Sequence, residues 1–231
     1  IRLYGIFFSL GIISGCITAY FLLKKDRRGW ESHMFDLGLV IAFAGIVGGR
    51  LWDVFFFDWE YYHNHLLEIP YIWQGGMAIQ GGIIFACIAA YFYLKKHQIP
   101  VLPFADTVTP GIILGQAIGR IANFMNGDAF GHPTGQDFGL LYPDTTLAYH
   151  TYGAQPLWPA EVWECQGDLL IFVLLLWYGC KTRTEGTTFC LYIMFYSLLR
   201  FFLENYRGDY GTLALGLKSA QLTSLAAFAG A

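Results

Sequence analysis

The chain has 231 residues, of which 55% are hydrophobic and only 13% are charged, and its mean hydropathy is +0.44. About 25% of the residues in a soluble domain are charged, so this composition excludes an ordinary soluble protein and predicts an all-α, polytopic membrane helix bundle. The net charge of -3 is too small to indicate a nucleic-acid partner.

Apolar runs long enough to cross a bilayer recur along the chain, since about 20 helical residues span the hydrocarbon layer. Within the second run, the spacing of Gly45 and Gly49 permits close helix packing. The segment 55–73 that follows is rich in Phe, Trp and Tyr, which is typical of a membrane interface. The sequence predicts about seven transmembrane helices, at residues 3–23, 34–57, 77–94, 102–125, 160–178, 187–206 and 213–231.

Clusters of basic residues follow the first, third and fifth predicted helices, and all three therefore fall on one side of the membrane. The clusters are Lys24, Lys25, Arg27 and Arg28 after the first helix, Lys95 and Lys96 after the third, and Lys181 and Arg183 after the fifth. Cytoplasmic loops carry an excess of Lys and Arg, and we therefore expect the N-terminus outside and the C-terminus inside. The long polar connection 126–159 then lies on the outer face, and a loop of this length is often functional. We predict a single transmembrane domain, 1–231, with 126–159 as its outer-face loop region.

A cluster of polar residues ends the fourth predicted helix. Arg120 and Asn123 lie one turn apart and share a face of that helix. A buried arginine in an apolar helix requires an anion, a cavity or a lipid head group, although an arginine near a helix end can also extend to the interface. Asn126 and Gly127 favour a turn that ends the helix, and Asp128 supplies a carboxylate just beyond it.

The sixth predicted helix carries charges at Arg200, Glu204 and Arg207, whose spacing puts them on one face. One interpretation is an ion pair that neutralises itself at the membrane edge. The other is a cationic pocket opposite Arg120, because guanidinium groups match the oxygens of a phosphodiester. Glu164 lies one turn after Glu161 at the start of the fifth helix. Carboxylates at this position stabilise a helix N-terminus, which is the alternative to a role in the site.

Metal and cofactor sites are not expected from this sequence. His63 and His65 are two residues apart, but no further ligand completes a metal-binding spacing. The five cysteines form no CxxC motif and are interpreted as small apolar residues.

The stretch from Gly119 to Gly131 resembles the motif of the prolipoprotein diacylglyceryl transferase family and departs from it only at Asp128, where the family usually has Glu. The resemblance extends over nearly all of the chain. Its other segments are Tyr4-Gly5, Gly48-Gly49-Arg50, Trp73 to Met77 with Gly81-Gly82, Thr151 to Glu164, and Arg200-x-x-x-Glu204-x-x-Arg207.

The resemblance implies transfer of the diacylglyceryl group of phosphatidylglycerol to the thiol of a lipobox cysteine on a preprolipoprotein, with release of glycerol phosphate, in the cytoplasmic (inner) membrane of a bacterium. The implied partners are phosphatidylglycerol, the lipobox-containing preprolipoprotein and the lipid bilayer. The catalytic candidates are Arg120, Arg200 and Asp128. The substrate-binding candidates are Tyr4, Arg50, Gln80, Asn123, Asn126, Gly131, Glu164, Glu204 and Arg207.

Two departures from the family pattern concern the proton acceptor. Gln80 stands where the family has a His, and an amide does not titrate in this range. The family's Arg-His-Pro-x-Gln-x-Tyr-Glu is replaced by residues 157–164, which keep only Pro159 and Glu164 and have Trp158 at the His position. Asp128, Glu164 and the lipid phosphate remain open as acceptors. The alternatives are a catalytically degenerate paralogue that serves as a phospholipid-binding subunit, or a transferase with a different acceptor.

Overall fold

The structure is a computed structural model that describes residues 3–179, 184–208 and 218–230. Within these ranges the regular elements are helical, and the bridges Gly131↔Arg207, Pro133↔Leu157 and Leu140↔Leu157 are isolated. The all-α prediction is confirmed. The α-helices are α1 (Leu3–Asp26), α2 (Met34–Phe56), α3 (Trp59–Tyr62), α4 (Ile79–Lys96), α5 (Val101–Asn126), α6 (Leu147–Tyr152), α7 (Ala160–Gly179), α8 (Thr187–Leu203) and α9 (Ser219–Gly230).

Three segments of the described chain are long and apolar enough to cross a membrane: Tyr4–Asp26, Trp30–Phe56 and Val101–Asn126. The shorter Thr187–Leu203 is also apolar. Helix α7 has 20 residues, but it carries three acidic residues. These helices bear out a multi-pass membrane protein, whereas the count of seven spans stays a prediction, because the run 213–231 lies partly outside the described residues.

The sixth predicted helix ends earlier than the sequence suggested. Helix α8 stops at Leu203, and Arg207 instead forms an isolated bridge with Gly131 of the long loop. The His132 amide donates to the Tyr206 carbonyl at 2.9 Å, and the Gly208 amide donates to the Phe130 carbonyl at 3.0 Å. The placement of Arg207 on the helix was therefore wrong, because loop backbone pairs with the residues that follow α8.

The chain divides into two compact units, one of residues 27–104 and the other of residues 1–26 with 105–231. The single-domain prediction is not tested by this division and stays a prediction. In the first unit α2 packs on α4 with close backbone contact. A Cβ on Gly48 would lie 2.6 Å from the Gly81 carbonyl oxygen, so only glycine fits there.

In the other unit, α1 and α5 approach each other through glycines. A Cβ on Gly11 would lie 2.9 Å from the Gly115 carbonyl oxygen, and one on Gly15 would lie 2.7 Å from that of Gly111. Small residues at four-residue spacing on both helices permit this approach. The contact holds the helix that carries Arg120.

Helices α5, α7 and α8 share a core built on Ile113, Ile171 and Leu175. Asp106 of α5 also caps α8, because its carboxylate accepts the Gly186 amide at 2.5 Å and the Phe189 amide at 2.8 Å. The first amides of a helix lack partners within the helix, so this carboxylate satisfies two of them and complements the helix dipole. The three helices that carry the charged residues are thereby fixed to one another.

Candidate functional site

Glu164 lies at the centre of a buried charged cluster, with a side chain only 1% exposed. Its Oε1 is 2.8 Å from Nη2 of Arg120. Its Oε2 accepts a hydrogen bond from Nη1 of Arg200 at 3.1 Å and lies 3.5 Å from Nη1 of Arg207. Guanidinium groups from α5, from α8 and from the segment after α8 therefore converge on one carboxylate of α7.

Glu204, the residue after α8, holds the second half of the cluster. Its Oε2 is 2.8 Å from Nη2 of Arg200 and 4.0 Å from Nε of Arg207, and its Oε1 is 3.9 Å from Nζ of Lys218. Lys218 also donates to the carbonyl oxygens of Glu204 at 2.9 Å and of Arg207 at 2.6 Å. These are carbonyls at and beyond the end of α8, where a cation is favourable.

The contacts that define this cluster join the cationic side chains of Arg120, Arg200, Arg207 and Lys218 to the carboxylates of Glu164 and Glu204. Guanidinium groups match the oxygens of an anion, and charges interact strongly in a buried site, so this convergence suits an anionic ligand. The side chains of Arg120 and Arg200 are 20% and 13% exposed, whereas that of Glu204 is fully buried. An anion can therefore approach the cluster from the side of Arg120 and Arg200.

The helix end beside Arg120 has the predicted turn. Gly127 has φ 70°, its amide donates to the Phe124 carbonyl at 3.2 Å, and the Asp128 amide donates to the Asn123 carbonyl at 3.0 Å. These two hydrogen bonds, with a residue in the left-handed conformation at the helix end, form a Schellman motif, which glycine favours. Asn126 then donates to Oδ2 of Asp128 at 2.6 Å. The turn ends α5 within two turns of Arg120 and aims Asp128 at Asn126.

Several predicted site residues of this unit lie outside the ionic contacts. Asp128 is bound by Asn126, and no hydrogen bond or ion pair among the described residues joins it to the arginines. Tyr4 is half-buried and stacks on Phe8, with ring centroids 5.8 Å apart. Asn123 is half-buried, and a Cβ on Gly131 would collide with the carbonyl oxygen of Trp158. The structure thus brings together Arg120, Glu164, Arg200, Glu204 and Arg207 of the predicted set.

Arg50 belongs to the other unit and binds backbone. Its guanidinium donates to the carbonyl oxygens of Ile69 (2.7 Å), Gly75 (2.7 Å), Gly76 (2.9 Å) and Glu68 (3.1 Å). It also lies 4.8 Å from the ring centroid of Tyr62. Arg50 therefore clamps the connector that precedes α4, and its role in substrate binding stays a prediction.

Two further predictions concern this unit. Gln80 is exposed near the start of α4, and its substrate-binding role also stays a prediction. In the connector, the Tyr61 hydroxyl donates to Oε2 of Glu68 at 2.7 Å, and this hydrogen bond raises the pKa of Tyr61. The connector is thus ordered by side-chain contacts as well as by the Arg50 clamp.

The sequence analysis missed three residues of the cluster region. The Tyr196 hydroxyl donates to Oε1 of Glu164 at 3.4 Å and accepts from Nη2 of Arg120 at 3.5 Å. Asp168 is fully buried one turn after Glu164, and neither of its oxygens has a hydrogen-bond partner among the described residues. Lys218, which contacts Glu204, is the third residue that the sequence analysis missed. The spacing of Tyr196 before Arg200, and an acid inside an apolar helix at 168, were signals available in the sequence.

Comparison with known proteins gives a family match over the whole chain: the model of the prolipoprotein diacylglyceryl transferase family covers residues 1–231. A phosphatidylglycerol–prolipoprotein diacylglyceryl transferase of Staphylococcus saprophyticus is 36% identical over 229 residues, which is 97% of this chain and 81% of the relative. Relatives of the same name in Geobacillus kaustophilus and Finegoldia magna are 36% and 37% identical over 225 residues, which is 96% of this chain in each case and 82% and 85% of the relatives.

Proposed function

Because the chain belongs to the prolipoprotein diacylglyceryl transferase family, we propose that it moves the diacylglyceryl group of phosphatidylglycerol to the thiol of a lipobox cysteine in a preprolipoprotein. The observation that carries the proposal is the convergence of Arg120, Arg200 and Arg207 on the carboxylate of Glu164. Such a cluster suits the phosphate group of the lipid, because the paired N–H donors of a guanidinium group match the spacing of phosphate oxygens.

The chemistry requires a carbon–sulfur bond to form while the bond between the diacylglyceryl carbon and the phosphate oxygen breaks. The electron pair of the broken bond stays with glycerol phosphate, so negative charge grows on the phosphate during the step. Preorganised guanidinium groups in a water-poor site lower the barrier to such a change. We assign this role to Arg120 and Arg200, and the convergence of their guanidinium groups on Glu164 supports the assignment.

The thiol must lose its proton, because the thiolate is the nucleophile. With Gln80 and Trp158 at the family's His positions, the acceptor is one of three groups: the carboxylate of Asp128, that of Glu164 or the departing phosphate. Tyr4 and Asn123 are assigned to the lipid head group, and Asn126 to the orientation of Asp128. Gly131 keeps the loop backbone close to Trp158, and Glu204 orients Arg200 and Arg207.

The proposed location is the cytoplasmic membrane of a bacterium, with the N-terminus outside, the C-terminus inside and the loop 126–159 on the outer face. The basic residues after the first, third and fifth predicted helices support this orientation. The whole chain is proposed to act as one transmembrane domain.

The test is a product assay with purified protein, phosphatidylglycerol and a peptide that contains a lipobox. We expect a thioether-linked diacylglyceryl peptide, detected by mass spectrometry, together with glycerol phosphate in equal amount. A peptide in which serine replaces the lipobox cysteine is the matched control and should remain unmodified. If no product forms at any pH while phosphatidylglycerol still binds, the degenerate lipid-binding subunit becomes the better description.

A further inference from the structure

Glu164 occupies the donors that a phosphate would need. Its Oε2 accepts a hydrogen bond from Nη1 of Arg200 at 3.1 Å, and its two oxygens form ion pairs with Nη2 of Arg120 at 2.8 Å and Nη1 of Arg207 at 3.5 Å. A carboxylate and a phosphate present similar pairs of anionic oxygens to guanidinium groups. Both cannot use the same N–H donors at once, so binding of a phosphate group must weaken the contacts of Glu164.

We propose that Glu164 is an internal competitor of the phosphate group, which exchanges with the lipid phosphate on binding and displaces glycerol phosphate after the reaction. This inference rests on the proposed function, because it assigns a release step to the same site. It makes Glu164 a positioning residue that keeps the arginines in place while no lipid is bound.

The hydrogen bonds of Arg120 show where an exchange can begin. Only Nη2 of this guanidinium has partners among the residues that the structure describes, namely Glu164 and Tyr196. Its Nε and Nη1 donors remain for an entering phosphate, and the side chain is 20% exposed. The phosphate can therefore contact Arg120 before the bond to Glu164 breaks, which avoids an unpaired buried charge at any stage.

Glu204 is less suited to this exchange than Glu164. It contacts Arg200 and Arg207 at four- and three-residue spacing in its own chain segment, and it has Lys218 as a further partner. Within the described residues, Glu164 is the only carboxylate that makes an ion pair with Arg120. In the part of the chain that the structure describes, Glu164 is thus the one carboxylate that joins the arginine of α5 to those at the end of α8.

The experiment measures binding of glycerol phosphate to the purified protein in detergent by calorimetry. For Glu164→Gln we expect a Kd at least about tenfold lower than that of the unaltered protein, because one charge-assisted competitor is removed. Asp168→Asn is the matched control, since it changes an equally buried acid one turn away that has no hydrogen bond to the arginines. Its Kd should fall by much less than that of Glu164→Gln, because Asp168 interacts with Arg120 and Arg200 through its charge alone.

An equal Kd for Glu164→Gln and the unaltered protein overturns the proposal, and so does equal tightening by Asp168→Asn, which would indicate a general charge effect. If Glu164→Gln does not fold, Glu164→Asp is used, because the shorter side chain keeps the charge but reaches the arginines less well. It should bind glycerol phosphate more tightly than the unaltered protein, and no change overturns the proposal.

A kinetic measurement separates this inference from the proposed function. In the product assay, Glu164→Asp, which keeps a carboxylate, should slow after a first turnover, with stronger inhibition by added glycerol phosphate. Failure of the proposed function appears as absence of thioether product from the unaltered protein, whereas the binding measurement does not depend on turnover. Formation of product by Glu164→Asp with unaltered inhibition by glycerol phosphate would leave the transferase intact and remove the release role.

Discussion

Arg50 and Arg120 are both arginines in long apolar helices, yet their partners differ in kind. Arg50 donates to four backbone carbonyl oxygens of the connector between α3 and α4. Arg120 is held by a carboxylate and a tyrosine hydroxyl, and further N–H donors remain. A carbonyl clamp fixes the backbone and leaves little capacity for a ligand. A carboxylate partner can be exchanged for another anion, so the partner indicates the role of each arginine.

The environment reinforces this difference. The guanidinium of Arg50 is almost completely enclosed, with a side chain only 4% exposed, and Asp53 lies 3.9 Å away. Arg120 belongs to a cluster in which three guanidinium groups share the carboxylate of Glu164. Of the two arginines, Arg120 is the one that keeps donors for an anion, because its Nε and Nη1 have no partner among the described residues.

The largest expected effect is at Arg120. Arg120→Ala should lower kcat about 10²- to 10³-fold in the thioether assay, because it removes a preorganised donor from the oxygen on which charge develops. Arg120→Lys should restore only part of the rate, since an ammonium lacks the guanidinium fork. The exposed cation Lys25 of α1 provides the control, and Lys25→Ala should keep full activity. Full activity in Arg120→Ala would contradict its assignment to the phosphate.

Arg50→Ala should act on the fold of its unit. We expect the free energy of unfolding to fall by about 1.5–3 kcal/mol, as is usual for loss of hydrogen bonds from a charged group. The connector 58–76 should become sensitive to limited proteolysis, measured by mass spectrometry of the fragments. Lys96→Ala changes an exposed cation of the same unit and should leave the cleavage pattern unchanged. Loss of lipid binding with an intact connector would instead favour the predicted substrate role of Arg50.

The sequence was sufficient to predict a cationic pocket in which Arg120 and Arg200 meet, because a charge in an apolar helix requires an anion and guanidinium groups match phosphate oxygens. It was not sufficient to identify Glu164 as the common partner, since its place at a helix start has an equally good local explanation. Lys218 was missed because its contact with Glu204, 14 residues earlier in the chain, does not follow from helical spacing. The carbonyl clamp of Arg50 likewise depends on the path of the connector, which periodicity does not specify.

The exact end of the sixth helix illustrates the same limit. Arg200, Glu204 and Arg207 fit a continuous helical face, and this spacing favours a helix through Arg207. The pairing of Gly131 with Arg207 overrides this preference. Arg207 still reaches Glu164, so the helical spacing predicted the right members of the cluster from the wrong local structure.

The smallest expected effect tests the scaffold that holds the arginine cluster. Asp106→Ala removes the cap of α8 and should lower the free energy of unfolding by about 1 kcal/mol, measured by thermal or chemical denaturation in detergent. Asp144→Ala, at an exposed loop position, is the matched control and should have no measurable effect. Because α8 carries Arg200, a small fall in kcat should accompany the loss of the cap, and it should be far smaller than that of Arg120→Ala. A change in the proteolysis of the connector 58–76 would contradict the assignment, since Asp106 and α8 belong to the other compact unit.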